Sequence, residues 1–544
     1  MGNLPRRIRS LLATGAIGLV VPGITGTPGI TGTASAQTVA ARTVAARTVA
    51  AARQPQLTVQ TKEGRLKGAV SQGAREFLGI PYAAPPVYDL RFAPPQPAKP
   101  WSGVRSATTQ GPACVQFQPT GVKNGQATSE DCLYLDIYTP VGARPGDKLP
   151  VVFWMHGGAH TQGTGVIYGG ERFATLTNSI FVSVNYRLGA YGFLALPQFG
   201  QGSGNYGLLD EIAALKWVNA NIAAFGGDSR NITVDGQSAG SGAVCDMLAS
   251  PLARGLFERG ILESGPCNGT PPLTVAAADA KGRQFAAAAG CTDAAAIVSC
   301  LRNAWTPDLV AAEQKVVINS PTAGTSVLPL PPEQAITSGR WNKVPLIVGS
   351  VRDEAKLFDI ADADITAAQY TADVNSAYGA NAAAVLRHYP VSAYARPFYA
   401  LAAVGTDSGN ACRSYWFASQ AASQVPVYEE EFNDPTSPTL FGFQPPGINM
   451  SDAHSAELAY LWNFTLGYRP LTPAELALGR QMDRYWGAFA RAANPNTPGL
   501  VAWPRVTTSS HPVIDLRPTG NTVSTALFPA EHQCGFWAAI EPQT

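Results

Sequence analysis

A chain of 544 residues with 45% hydrophobic and 14% charged content can bury a large core, and one oversized α/β domain fits that length. A formal net charge of +1, with no sustained basic stretch in the body of the chain, gives no electrostatic footprint for nucleic acid and points to a neutral small molecule as partner. No phosphate-binding loop, metal-spaced His/Cys cluster or dinucleotide fingerprint occurs, so neither a cofactor nor a metal is expected.

The chain opens on an address. Arg6-Arg7-Ile8-Arg9 is basic, Leu11 to Val21 is a short apolar run, and Ala34-Ser35-Ala36 is an A-x-A site, so residues 1–36 read as a signal peptide cleaved after Ala36 and the protein as secreted. Arg6-Arg7 leaves a twin-arginine route open beside the general secretory one. The apolar run is too short to span a bilayer, and no other segment reaches roughly 18 uncharged apolar residues, so no membrane anchor is expected. Residues 37–55 repeat the unit Thr-Val-Ala-Ala-Arg, whose period of five cannot hold one apolar face on a helix. They read as a low-complexity linker.

A single folded domain is predicted over residues 56–544, beginning with strands at Leu57 to Gln60 and Gly64 to Gly68. Leu149 to Met155 reads as an apolar strand that runs into His156-Gly157-Gly158-Ala159, where small residues let backbone N–H groups approach a substrate oxygen. Asp210 to Ala223 reads as a helix. Asn231-Ile232-Thr233-Val234 is a β-branched strand that feeds Gly236-Gln237-Ser238-Ala239-Gly240, and Ala239 to Leu248 is helical after it. Strand, G-x-S-x-G and helix, in that order, lift a serine out of the interior on a sharp turn, and the two glycines relieve its crowding. Further on, Val344 to Ser350 is a strand running into Val351-Arg352-Asp353-Glu354-Ala355, and Thr472 to Ala493 is a helix. Strands alternating with helices predict an α/β fold with a mostly parallel sheet covered on both faces.

Ser238 is therefore the candidate nucleophile. A neutral hydroxyl needs a base beside it and a third group to orient that base, and in this topology acid and histidine follow the serine in that order. Chain order alone leaves His388, His454, His511 and His532, and either carboxylate of the Asp353-Glu354 pair. Eight cysteines, none at C-x-x-C spacing, fit a disulfide framework in an oxidising compartment, with the connectivity open.

Several ordered segments narrow these choices: Glu130-Asp131-Cys132-Leu133-Tyr134-Leu135, Asn185-Tyr186-Arg187-Leu188-Gly189, Gly204-Asn205-Tyr206-Gly207-Leu208-Leu209-Asp210, Asn221-Ile222-Ala223-Ala224-Phe225-Gly226-Gly227-Asp228 and the serine turn itself. Together they make the chain after about Gln56 resemble the type-B carboxylesterases, the family of para-nitrobenzyl esterases, fungal lipases and cholinesterases. The resemblance implies the α/β-hydrolase fold with a small N-terminal antiparallel meander. It also implies a serine carboxylesterase acting on a small-molecule ester, and a monomer is expected. Asp452-Ala453-His454-Ser455-Ala456-Glu457-Leu458 resembles the family's histidine segment, making His454 the general base, and the second carboxylate of the acid pair maps to Glu354. The matching oxyanion donors are the N–H groups of Gly158, Ala159 and Ala239, and Ser264 resembles a serine that hydrogen-bonds the acid.

The resemblance likewise implies bridges Cys114–Cys132, Cys291–Cys300 and Cys412–Cys534, which leaves Cys245 to pair with Cys267. Two departures set expectations for substrate. Gln237 stands where cholinesterases carry glutamate, and Val115 to Asp131 contains no tryptophan, both of which argue for esters of neutral alcohols. His160 stands where an aromatic residue is common. The competing readings are a true lipase, which calls for an apolar lid between Cys114 and Cys132 where the sequence is polar, and an adhesion member of the fold, which calls for a missing nucleophile.

Overall fold

The computed structural model describes residues 55–116, 126–439, 442, 444–464 and 469–540. The expected signal peptide and repeats lie outside the described residues, as does residues 117–125 of the loop closed by Cys114 and Cys132.

The central strand β1 (Leu149–Met155) is buried along its whole length. Because side chains of a strand alternate sides, Val151, Phe153 and Met155 enter one core cluster while Val152 and Trp154 enter the other. A strand covered on both faces has no use for polar alternation, which is why this segment reads as a continuous apolar run. Beside β1 lie β2 (Gly227–Gln237), β3 (Arg259–Glu263), β4 (Leu346–Val351) and β5 (Val427–Phe432), all mutually parallel. The sheet they belong to has eleven strands among the described residues, in the order Thr522–Ser524, Val513–Leu516, β5, β4, β3, β2, β1, Ile180–Val184, Tyr134–Pro140, Ala74–Pro81, Ala69–Ser71. Its interior is parallel and its outer pairings are antiparallel.

Register aligns the functional ends. Met155 of β1 pairs with Gly236 of β2, Gly236 with Leu262, and Glu263 of β3 with Gly349 of β4. The carboxyl ends of these strands thus meet along one edge, where open α/β sheets place their ligands.

Helices cover both faces. On one, α1 (Tyr206–Asn221) and α2 (Ala239–Ala249) contribute Leu208, Ile212, Leu215, Val244, Met247 and Leu248 to the first cluster. On the other, α3 (Pro473–Ala492) contributes Leu478, Met482, Tyr485, Trp486 and Phe489 to the second. The limits of α3 follow from local chemistry: Thr472 and Glu475 form a reciprocal capping box, and Pro473 occupies the first helical position, where its missing N–H costs nothing. Helix α1 starts four residues earlier than the expected Asp210. Tyr206 and Leu208 are buried there, and packing extends the helix past its polar punctuation.

The small sheet that opens the body pairs Thr58–Gln60 antiparallel with Arg65–Lys67, and a later strand, Val104–Ser106, joins the second in parallel. Four disulfides link Cys114 to Cys132, Cys245 to Cys267, Cys291 to Cys300 and Cys412 to Cys534. The second ties α2 to the segment leaving β3.

Candidate active site

Ser238 lies between β2 and α2 with φ 58° and ψ −123°, a conformation that L-residues rarely hold. What over-determines it is visible in the neighbours. A Cβ on Gly236 would collide with the Gly240 carbonyl, and one on Gly240 with the carbonyl of Met155, so the turn closes only with glycine at both positions. The Ser238 N–H donates to the Glu263 carbonyl at 2.8 Å and its carbonyl accepts from Gly242 at 3.0 Å, pinning both sides of the turn. A Cβ on Gly157 would sit 2.9 Å from the Ser238 Cβ, so that glycine lets the turn after β1 approach the serine.

The turn after β4 brings in the Asp353-Glu354 pair. Glu354 is 1% exposed; one carboxylate oxygen accepts the Val351 N–H at 3.0 Å and the other receives the Nδ1 of His454. Asp353 points away and pairs with Lys356 at 2.6 Å. The histidine segment is stitched to the acid turn by its backbone: Asp353 N–H donates to the Asp452 carbonyl at 3.0 Å and His454 N–H to the Glu354 carbonyl at 3.4 Å. A carboxylate accepts only, so Nδ1 carries the imidazole proton and the Nε2 lone pair stays available as a base. That Nε2 lies 3.3 Å from the side-chain nitrogen of Gln237, and the Phe358 ring packs 4.7 Å from the imidazole. Ser238, Ala159, Ala239, Glu354 and His454 all line one cavity of about 430 Å³.

At the turn after β1, Gly158, Ala159 and His160 all have positive φ, so three successive residues hold the left-handed region. Among the described residues the Gly158 and Ala159 N–H groups donate to nothing, and Ala239, as the first residue of α2, has an N–H without an intrahelical partner. Two histidines brace this turn. His156 stacks on Tyr186 at 4.5 Å and donates through Nδ1 to the Gly157 carbonyl at 2.8 Å; burial pushes it down to about 4. His160 sits between the Ala239 and Asn319 carbonyls, at 3.1 and 3.3 Å, and burial also lowers it to about 4. Being neutral, it has one N–H for two acceptors.

Ser264 lines the same cavity, but among the described residues no hydrogen bond joins its hydroxyl to Glu354; the Val351 N–H is the acid's second partner. The other downstream histidines are elsewhere: His388 stacks on Phe536, His511 pairs with Glu429, and His532 bridges Asp407 and Glu431. Sequence reasoning missed a group of buried carboxyls around Glu354. Asp235, Glu263 and Glu430 are pushed well above the ordinary carboxyl range, and Glu457 up to about 8, by burial first and by neighbouring carboxylates second where such neighbours exist. Burial thus favours the neutral, protonated form of each. Asp235 lies three residues before Ser238, Glu263 beside Ser264 and Glu457 three residues after His454, but nothing in one dimension marks their burial.

The arrangement matches known proteins over most of its length. A model of the "Carboxylesterase family" matches residues 55–537. The chain is 34% identical to the human "Cocaine esterase" over 88% of this chain and 89% of that protein. It is 34% identical to an "Acetylcholinesterase" of Bungarus fasciatus over 90% and 87%. A solved structure titled "PNB esterase" superposes with TM-score 0.75 at 30% identity, covering 88% of this chain and 99% of that one. With an α/β-hydrolase sheet, a serine on a nucleophile turn and esterase relatives at this identity, the chain belongs to the carboxylesterase family and is a carboxylic ester hydrolase.

Proposed function

We propose that the protein is a secreted serine esterase that hydrolyses esters of neutral alcohols, with Ser238 as nucleophile, His454 as general base and Glu354 as the orienting acid. The observation that carries this reading is the imidazole of His454, fixed by Glu354 through Nδ1, in one cavity with the strained Ser238. His454 Nε2 takes the Ser238 proton as the hydroxyl oxygen attacks the ester carbonyl. The tetrahedral oxyanion is received by the N–H groups of Gly158, Ala159 and Ala239, which are aimed before charge develops. Collapse releases the alcohol with the proton from His454, and water repeats the sequence on the acyl-enzyme.

The neutral alcohol follows from Gln237, an uncharged amide beside the imidazole. Secretion follows from the N-terminal segment and from four disulfides, which persist in oxidising compartments. Hydrolysis rates across para-nitrophenyl esters of increasing acyl length, with and without emulsified triglyceride, test the reading. Turnover of soluble esters without interfacial activation is the expected result, and activity confined to the emulsion would replace the esterase by a lipase.

A further inference from the structure

The cavity continues away from the triad along α2, and a carboxyl that the hydrolysis does not use faces into it. Asp246 is 4% exposed and lines the same cavity as Ser238. Its neighbour one turn nearer the serine is Gly242, where an added Cβ would meet nothing within 4 Å, so the space above this stretch of helix is open. Among the described residues no group hydrogen-bonds the Asp246 carboxyl, and burial alone pushes it up to about 8. No cation raises or lowers it, and the titratable group that feels its charge is Glu211, itself buried with Oε1 unpartnered. A buried carboxyl without a partner is costly, and one facing a cavity can be satisfied by a ligand. Near neutral pH it is largely protonated and both donates and accepts.

Position says which part of an ester reaches it. His454 and Phe358 pack on each other and line the cavity together with residues of α2; since His454 must hand its proton to the departing alcohol, the alcohol is assigned to that pair and the acyl chain to the stretch along α2 past Gly242 and Cys245 to Asp246. This assignment rests on the catalytic reading above. Eight residues of helix separate Ser238 from Asp246, a rise of about 12 Å. We propose that this arm is the acyl subsite and that Asp246 selects esters whose acyl chain, about eight to ten carbons long, ends in a hydroxyl group.

The test compares kcat/KM for the para-nitrophenyl esters of ω-hydroxydecanoate, decanoate and acetate in the wild-type enzyme and in Asp246→Leu and Gly242→Leu. The wild type is expected to favour the hydroxylated over the plain decanoyl ester by about tenfold or more, as a site with an unpaired buried polar group does. Asp246→Leu should bring that ratio to about one or below. Gly242→Leu, which fills the arm while leaving the Asp246 carboxyl in place and carries the test should the first variant not fold, should lower both decanoyl esters relative to acetate. A wild-type ratio near one, a ratio unmoved by Asp246→Leu, or decanoyl turnover unmoved by Gly242→Leu would overturn the proposal. Failure of the wild type on all three esters, acetate included, would instead overturn the catalytic reading.

Discussion

At the scale of single residues, Ser238 is held by backbone bonds on both sides and contributes almost no core volume. Ser238→Ala should therefore cut turnover by more than about a thousandfold while leaving the thermal midpoint within a few degrees, measured by ester hydrolysis and calorimetry on one preparation. The acid pair separates cleanly. Glu354 is buried against the imidazole whereas the Asp353 side chain is 39% exposed and bound to Lys356, so Glu354→Gln should cost roughly a thousandfold or more in kcat and Asp353→Asn less than about tenfold. A reversed order would make Asp353 the acid. Gln237 offers a third reading of the same imidazole. A carboxylate in place of its amide, 3.3 Å from Nε2, would stabilise the imidazolium, so Gln237→Glu should shift the acidic limb of kcat/KM upward by about one pH unit. An unmoved limb would remove Gln237 from contact with the working base.

At the scale of elements, the four bridges differ in the chain they close. Cys412–Cys534 spans 122 residues and Cys291–Cys300 only 9. If a bridge acts mainly by restricting the unfolded chain, removing the first as a double alanine variant should cost about 5 kcal/mol and removing the second roughly 3. Denaturant midpoints measured on both variants decide this, and equal losses would show that native packing, rather than loop closure, sets the contribution. The turn that presents Ser238 is the other element-level device. Gly240→Val would drive a branched side chain into the Met155 carbonyl, so activity should fall sharply even where the fold survives.

Across the whole molecule, the buried groups with raised values bias stability in one direction, while His156 and His160, lowered to about 4 by burial, act only below the ordinary histidine value of about 6.5. Asp246, Asp452 and Glu457 are raised to about 8 by burial, and the carboxylates of Asp407 and Glu431 outweigh burial to raise His532 to about 10. Each binds its proton more tightly folded than unfolded. Its contribution is therefore complete below the unfolded value, near 4 for the carboxyls and about 6.5 for the histidine, and is lost as pH rises through the folded one. The thermal midpoint should consequently fall between pH 6 and about 10, the last part through His532, and His532→Gln should flatten that final segment. A midpoint rising over the same range would contradict the buried-proton picture.

Much of this molecule is legible in one dimension because its signals are local. An apolar run ending in Gly157-Gly158 marks β1, a capping box fixes the start of α3, and a glycine on either side of Ser238 is a steric requirement written into five consecutive residues. The histidine and the acid were narrowed by resemblance to a family, because chain order left four histidines and two carboxylates open. Tertiary structure alone decided the rest. That Ser264 leaves Glu354 to the Val351 N–H, that Gln237 faces the imidazole, and that the buried carboxyls Asp235, Glu263, Glu430 and Glu457 gather together all depend on which side chains the parallel register brings to the same edge. Sequence fixes each side chain's chemistry and local backbone preference, but a carboxyl's charge state is set by the solvent it has lost and the neighbours it has gained, and those come from segments hundreds of residues apart.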